Sequence, residues 1–262
     1  MSERQLILNG LWKREAVNIR EVPSSWAPTA EQRRLVERAW QDASRVVYDG
    51  PVWRFEGVLT TGKDLHIRLS RCSYKWHYVL KEQQYPTPSH YPNPASVTSL
   101  VVTEDRKIPV AVRQGPDQGN RLHSLGAGFI DAVTSVHSDH PSSWNFIPEN
   151  IFDTAVREVQ EESTIQLKDI DSDAMALIGA AWGSNHDTTF VIVVPVSVTS
   201  DAVGMRGDEH STLHFVPTDR TETQRVVERG ALCNQANDVP ATDHLVLALQ
   251  LIRDSPYCVG GT

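Results

Sequence analysis

Apolar residues recur at helical spacing between residues 30 and 47, at Leu35, Val36, Ala39, Trp40, Ala43, Val46 and Val47. This predicts an amphipathic helix with Thr29 in the N-cap position. The period then shortens. Residues 52–59 and 65–69 read as two strands joined by the turn Thr60-Thr61-Gly62-Lys63-Asp64. Further on, β-branched runs at 97–103 and 108–113 flank Glu104-Asp105-Arg106-Lys107 and predict a hairpin. Gly126-Ala127-Gly128-Phe129-Ile130-Asp131 follows as a strand end where backbone comes close to a neighbour. Ile151, Phe152, Ala155, Val156 and Val159 then form the stripe of another helix. Residues 176–182, 189–198 and 212–216 are strand-like, and 191–196 is apolar apart from Pro195, as in a strand buried on both faces. The last pattern, 242–253, is a helix capped by Thr242 or Asp243, with Leu245, Val246, Leu249 and Ile252 inward. Strands and helices interleave, so the expected class is α/β.

Prolines divide the chain. Tyr85-Pro86-Thr87-Pro88-Ser89-His90-Tyr91-Pro92-Asn93-Pro94 cannot continue a helix or a central strand. The boundary is therefore expected there, between an accessory α+β unit at 1–95 and a main domain at 96–262. A polar insertion of about 15 residues, centred on residues 135–143, separates the glycine-rich strand end from the helix after Pro148-Glu149.

Composition narrows the class. Of 262 residues, 40% are hydrophobic and 22% charged, as in ordinary globular proteins. A net charge of −8 argues against nonspecific binding to nucleic acid or anionic membrane. A phosphorylated small molecule stays possible, because a bound cation reverses the local charge. Cys72, Cys233 and Cys258 form neither a disulfide framework nor a zinc signature, which favours a reducing compartment. The first eight residues are too poor in apolar side chains for a signal peptide, and no run is long enough to span a bilayer. The expected setting is cytoplasmic.

One stretch carries the chemistry. In Arg157-Glu158-Val159-Gln160-Glu161-Glu162-Ser163-Thr164-Ile165, three glutamates fall in one narrow helical sector. They flank the apolar stripe instead of opposing it, unlike a solvated charge run. Carboxylates so close repel, and a hard divalent cation, Mg²⁺ or Mn²⁺, would neutralise them.

With Glu149 placed seven intervening residues before Arg157, this stretch resembles the signature helix of the Nudix hydrolases. Glu149, Arg157, Glu158, Val159, Glu161, Glu162 and Ile165 match the motif. Ser143 stands at the usual spacing of its early glycine, and Gly128 resembles that glycine displaced by the insertion. Thr164 replaces the late glycine, and a left-handed cap there would strain a β-branched residue. The resemblance implies an α/β/α sandwich with a mixed sheet, joined to the small N-terminal α+β unit. It implies a cation held by Glu158, Glu161, Glu162, the Gly128 carbonyl and Glu209, with Arg157 fixing a carboxylate. It also implies hydrolysis of a nucleoside diphosphate linked to another group, with Glu162 or Glu209 as base. Glu209 lies in the acidic loop Gly207-Asp208-Glu209-His210, with Asp208 as its substitute; a solvated turn is the other reading of that loop.

The layout also resembles the UDP-glucose-hydrolysing Nudix branch, through Trp40, the strand pair at 53–69, the insertion after Asp131 and Asp208-Glu209-His210-Ser211-Thr212. That implies UDP-glucose as substrate, giving UMP and glucose 1-phosphate. ADP-ribose, a dinucleotide or coenzyme A are the alternatives within the chemistry, and a non-catalytic nucleotide sensor is the alternative outside it. Arg71 and Tyr74, in the aromatic and basic stretch at 70–80, are expected at the substrate with Asp131 and Asn185, although that stretch could equally pack between domains. His137-Ser138-Asp139-His140, Asn185-His186-Asp187 and Asp208-Glu209-His210 lack zinc-ligand spacing, and no GxSxG elbow is present. Oligomeric state has no sequence signal.

Overall fold

The computed structural model describes residues 5–45, 47–85, 87–114, 119–134, 146–234 and 237–258. The central insertion at 135–143, its cluster His137-Ser138-Asp139-His140, Pro86 and Val46 lie outside the described residues. Among the described residues no helix is long and apolar enough to cross a membrane.

The N-terminal part contains β1 (Gln5–Trp12), β2 (Val17–Glu21), α1 (Ala30–Ala43), β3 (Pro51–Thr61), β4 (Asp64–Ser73) and α2 (Tyr74–Leu80). α1 starts where expected. The Thr29 hydroxyl accepts from Gln32 N, and the Gln32 side chain accepts from Thr29 N, closing a capping box. The helix ends at Ala43, four residues before the periodic pattern runs out. β3 and β4 form the expected hairpin, with Gly62 in the left-handed region at its tip, and β2 adds parallel to β4.

The rest of the chain contains β5 (Ala95–Val102), β6 (Lys107–Arg113), β7 (Leu122–Ser124), β8 (Ala127–Phe129), β9 (Ala132–Thr134) and β10 (Phe146–Pro148). After these come α3 (Ile151–Glu162), β11 (Ala176–Trp182), β12 (Thr188–Pro195), β13 (His210–Pro217) and α4 (Arg220–Arg229). The hairpin strands β14 (Ala231–Asn234) and β15 (Asn237–Pro240) and helix α5 (Asp243–Arg253) complete it.

A mixed five-stranded sheet, in the order β1-β11-β12-β5-β8, forms the middle layer. β5 and β12 are its buried parallel pair, and they alternate with strict period two. Val97, Val101, Phe190 and Ile192 face one core, which also holds Ile151, Phe152, Ala155 and Val159 of α3. Leu100, Val102, Val191 and Val193 face the other, shared with Leu245, Val246, Leu249 and Ile252 of α5. The architecture is thus an α/β/α sandwich with a mixed sheet, and a smaller α+β layer stands beside it.

Two features differ from expectation. β5 and β6 are joined by a tight turn, with Thr103 N donating to Lys107 O, but they do not form a hairpin. Both edges of β5 are taken by β12 and β8, so β6 leaves the sheet and pairs with β13 and β7. In addition, β1, which precedes the proline-rich segment in the chain, pairs antiparallel with β11, which follows it. The two units also share packing: Phe55 meets Phe190 edge-on at 5.9 Å, and Trp53 Nε1 donates to Asp131 O at 3.1 Å.

Candidate catalytic site

α3 begins at Asn150, whose side chain accepts from Phe152 N at 3.0 Å. Its apolar stripe pins it to the sheet, and this rotation forces the flank bearing Glu158 and Glu162 against β8. Two glycines make that approach possible. At Gly126, with φ of +95°, any side chain would be strained and would press on Val159. At Gly128 a β-carbon would overlap the Glu158 carboxylate. The glycine-rich strand end therefore exists to admit an acidic helix flank.

Glu162 Oε2 accepts from Gly126 N at 2.6 Å. Burial lifts its carboxyl to about 8, against the pull of that N–H and of Arg113; Glu158 and Glu209 repel it further. Burial likewise lifts Glu158 to about 7 against the attraction of Arg157, and Glu161 and Asp131 add repulsion. Two carboxyls one helical turn apart thus titrate near neutrality, a pattern found where charge is waiting for a counter-charge.

Arg157 knits the surroundings together. Its Nη1 donates to Glu158 Oε1 at 2.7 Å and to Glu161 Oε2 at 3.3 Å. Its Nη2 donates to Glu149 Oε2 at 3.1 Å and to Phe129 O at 3.2 Å, and stands 3.4 Å from Asp131 Oδ2. Glu149 is held in turn by the Thr154 hydroxyl at 2.9 Å. The guanidinium is half-buried; desolvation lowers its pKa, but the surrounding carboxylates Glu149, Glu158 and Asp131 raise it by more.

The other expected ligands are more dispersed. Glu161 is exposed and tied to Arg157, beside a shallow groove with Arg206 and Leu167. Glu209 is exposed and meets Arg113 at 3.5 Å, across from Glu162. Among the described residues no three His, Cys, Asp or Glu side chains converge around one point. The donor set nevertheless fits a hard cation: Glu158 and Glu162 are paired, buried oxygen donors of raised pKa, and the Gly128 backbone lies against Glu158.

The late-glycine position resolves without strain. α3 ends at Ser163 in extended conformation, so no left-handed cap is required of Thr164. The Ser163 hydroxyl donates to Val159 O at 2.6 Å, and Thr164 N donates to Gly204 O at 3.0 Å. The Thr164 hydroxyl also accepts from Gly204 N at 2.8 Å, so the threonine anchors the next loop.

Beside the carboxylates opens a cavity of about 180 Å³. α2 and the residue after it contribute Tyr74, His77 and Lys81; β5 contributes Ser96 and Thr98; β8 contributes Gly128 and Phe129. Arg113, His123, Asn185, Asp187 and His244 complete its polar side. Tyr74 and Asn185 line the cavity, and Tyr74 packs edge-on against Phe129 at 5.8 Å. Asp131 instead faces Arg157. Arg71 pairs with Glu21 at 2.7 Å and donates to Phe146 O at 3.1 Å, and neither it nor Asp131 lines the cavity.

Sequence reasoning did not single out Lys81, Arg113, His123 or His244; His77 lay in the stretch at 70–80 expected at a ligand, and Asp187 in a cluster set aside for want of zinc-ligand spacing. One signal was present: a histidine beside the inward stripe of α5 is a polar group in an apolar setting. His123, on β7, is buried as well, and burial drives its pKa down to about 3, with Arg113 adding repulsion.

No family model matches the sequence, and no curated protein matches it. Among solved structures, a C. elegans Ap4A hydrolase aligns with 61% of this chain and 95% of its own, at 11% identity and a TM-score of 0.37. A bifunctional NMN adenylyltransferase/ADP ribose pyrophosphatase from Francisella tularensis aligns with 69% of this chain but only 45% of its own, at 11% identity and a TM-score of 0.39. The same bifunctional protein complexed with AMP and a Mn ion aligns at 12% identity and the same score.

Proposed function

We propose that this chain is a Nudix-type pyrophosphohydrolase that cleaves a nucleoside diphosphate linked to another group. The observation that carries the reading is the pair Glu158 and Glu162, buried one turn apart against a glycine strand. Mg²⁺ or Mn²⁺ would be held by Glu158 and Glu162, with Glu161, Glu209 and the Gly128 carbonyl as further donors. When bound, it would neutralise charge on the diphosphate and on the glutamates themselves.

The chain's own groups supply the rest. Arg157 locks the Glu158 and Glu149 carboxylates in place, as a guanidinium does best. Arg113 and Lys81 place positive charge on the cavity wall, where phosphate oxygens would bind. Glu162 is suited to take the proton of an attacking water, with Glu209 as the alternative. Tyr74 and Phe129 form an aromatic wall for a base or sugar.

We place the recognition function in the accessory unit at 1–95, because α2 supplies that wall to a domain at 96–262, and we assign the enzyme to the cytoplasm. The preferred substrate is a UDP-sugar, with UDP-glucose giving UMP and glucose 1-phosphate; ADP-ribose is the nearest rival. A panel of UDP-glucose, ADP-ribose, a dinucleotide and coenzyme A, assayed with and without Mg²⁺, tests both levels. Fast turnover of ADP-ribose without UDP-glucose would reject the sugar assignment, and nucleotide binding without any turnover would leave only a sensor.

A further inference from the structure

Much of the polar wall of the cavity is already spent on internal pairs. The Ser96 hydroxyl donates to Asp187 Oδ2 at 2.8 Å, and Thr98 shares a hydrogen bond of 2.8 Å with Thr189. Asp187 also pairs with His244 at 3.1 Å. A strained turn delivers it there, with His186 just before it in the left-handed region at φ of 61°. Lys81 and Arg113 bring cationic N–H groups to the same cavity. The wall is therefore well supplied with donors, and an unspent acceptor on it stands out.

His123 is such an acceptor. It lies on β7, opposite Ala111 of β6. Its neighbour Leu122 turns into the core shared with α5, so strand alternation sends His123 the other way, to the cavity wall. The tautomer of its ring is settled by one contact. Nδ1 lies 3.1 Å from Ser124 O, and a carbonyl oxygen only accepts, so Nδ1 carries the hydrogen. Burial and the nearby Arg113 guanidinium keep a second proton off the ring. Nε2 is left with a lone pair. Among the described residues nothing donates to it, and unlike both ring nitrogens of His210 it is not sealed inside the protein.

A lone pair repels a phosphate oxygen and accepts from a neutral O–H. Arg113 is close enough for its charge to act on His123, so a phosphate held by Arg113 would bring the sugar that carries it to Nε2. We propose that His123 is a specificity-determining residue, whose Nε2 accepts a hydrogen bond from the sugar hydroxyl nearest a phosphate ester held at Arg113. The inference rests on the diphosphatase reading and deepens it, because it makes the hydroxylated sugar ester, and not its deoxy form, the substrate class. Two sources share this chemistry: the 3′-hydroxyl of a nucleoside 5′-phosphate and the 2-hydroxyl of a hexose 1-phosphate.

Deoxy ligands separate the two sources. Binding of UMP and AMP with their 3′-deoxy forms, and of glucose 1-phosphate with its 2-deoxy form, is measured by calorimetry in the presence of Mg²⁺. In the wild type, removing the hydroxyl that reaches Nε2 should weaken binding about tenfold, the worth of one hydrogen bond. A gap in the nucleotide pairs assigns the ribose, and a gap in the glucose 1-phosphate pair assigns the hexose. H123F keeps a flat ring without the lone pair and should close the gap by weakening the hydroxylated member alone. H123Q, whose side-chain oxygen can stand near the place of Nε2, should restore part of it. On the best substrate of the panel, H123F should raise KM about tenfold with kcat changed less than threefold. If H123F fails to fold, the wild-type gap and nitrogen NMR of the wild-type histidine ring decide. Hydrogen on Nδ1 supports the proposal, and hydrogen on Nε2 overturns it. Equal affinities within every pair, or a gap that persists in H123F with only the melting temperature lowered, would also overturn it. A gap closed by H123F in a protein that turns over nothing would keep His123 as the sugar reader and reject the diphosphatase reading.

Discussion

Glu162 shows how one residue can couple stability to the site. Its carboxyl moves from 4.5 to about 8 on folding, chiefly through burial. Between those values the folded protein keeps a proton that the unfolded chain releases, so stability is full below pH 4.5 and is lost as pH rises through 8. Glu158, at about 7, acts in the same direction. With EDTA present, the melting temperature should therefore fall between pH 5 and pH 8.5, and E162Q should flatten that fall. Each pKa unit is worth about 1.4 kcal/mol, so the loss is measurable by thermal denaturation. Mg²⁺ should raise the wild-type melting temperature at pH 8.5 more than at pH 5, and the E162Q temperature much less at either. Gly128 makes a second prediction at this scale. G128A pushes a methyl into the Glu158 carboxylate and should cut kcat by about a hundredfold or more, read in the Mg²⁺-dependent assay. A G128A enzyme with wild-type turnover would remove Glu158 from the site.

At the scale of elements, α3 and α5 were legible because each carries a dense apolar stripe and a capping residue. α4 was not. Only Thr223 and Val226 of its ten residues are buried, so periodicity had little to detect. Its ends did carry signals: Asp219 accepts from Thr221 N and Glu222 N, and Gly230 closes it in the left-handed region. Thr164 teaches the opposite lesson. The motif position suggested strain, but the helix leaves extended at Ser163 and the threonine hydroxyl holds Gly204 N. T164G should therefore destabilise the protein by about 1 kcal/mol, through lost hydrogen bonding and added chain entropy, measured by urea denaturation. A gain in stability would show that the left-handed cap is the preferred ending after all.

The whole molecule is more continuous than its proline punctuation suggests. β1 covers the edge of β11, Trp53 reaches Asp131, and α2 walls the cavity. Residues 96–262 expressed alone would expose the edge of β11 and the face of Phe190 that meets Phe55. That fragment should melt at lower temperature than the full chain, aggregate at concentrations where the full chain does not, and bind substrate poorly. Differential scanning calorimetry and light scattering check the first two, and the substrate panel checks the third. A fragment that melts cooperatively at the full-length temperature would make the accessory unit independent.

The sequence by itself determined the layers, since period two and period 3.6 are local properties that read directly as buried strands and amphipathic helices. It also determined the acidic knot on α3, because helical spacing alone puts Glu158, Glu161 and Glu162 in one sector. Tertiary structure decided which of these matter and how. Burial separates Glu158 and Glu162 from exposed Glu161. Strand partnership turned a predicted hairpin into strands of two sheets, because both edges of β5 were already filled. Residues distant in sequence met at the cavity: Tyr74 from one unit, Asp187 from a strained turn and His244 from the last helix. No local pattern encodes such meetings, since desolvation and long-range pairing exist only after the chain has closed on itself.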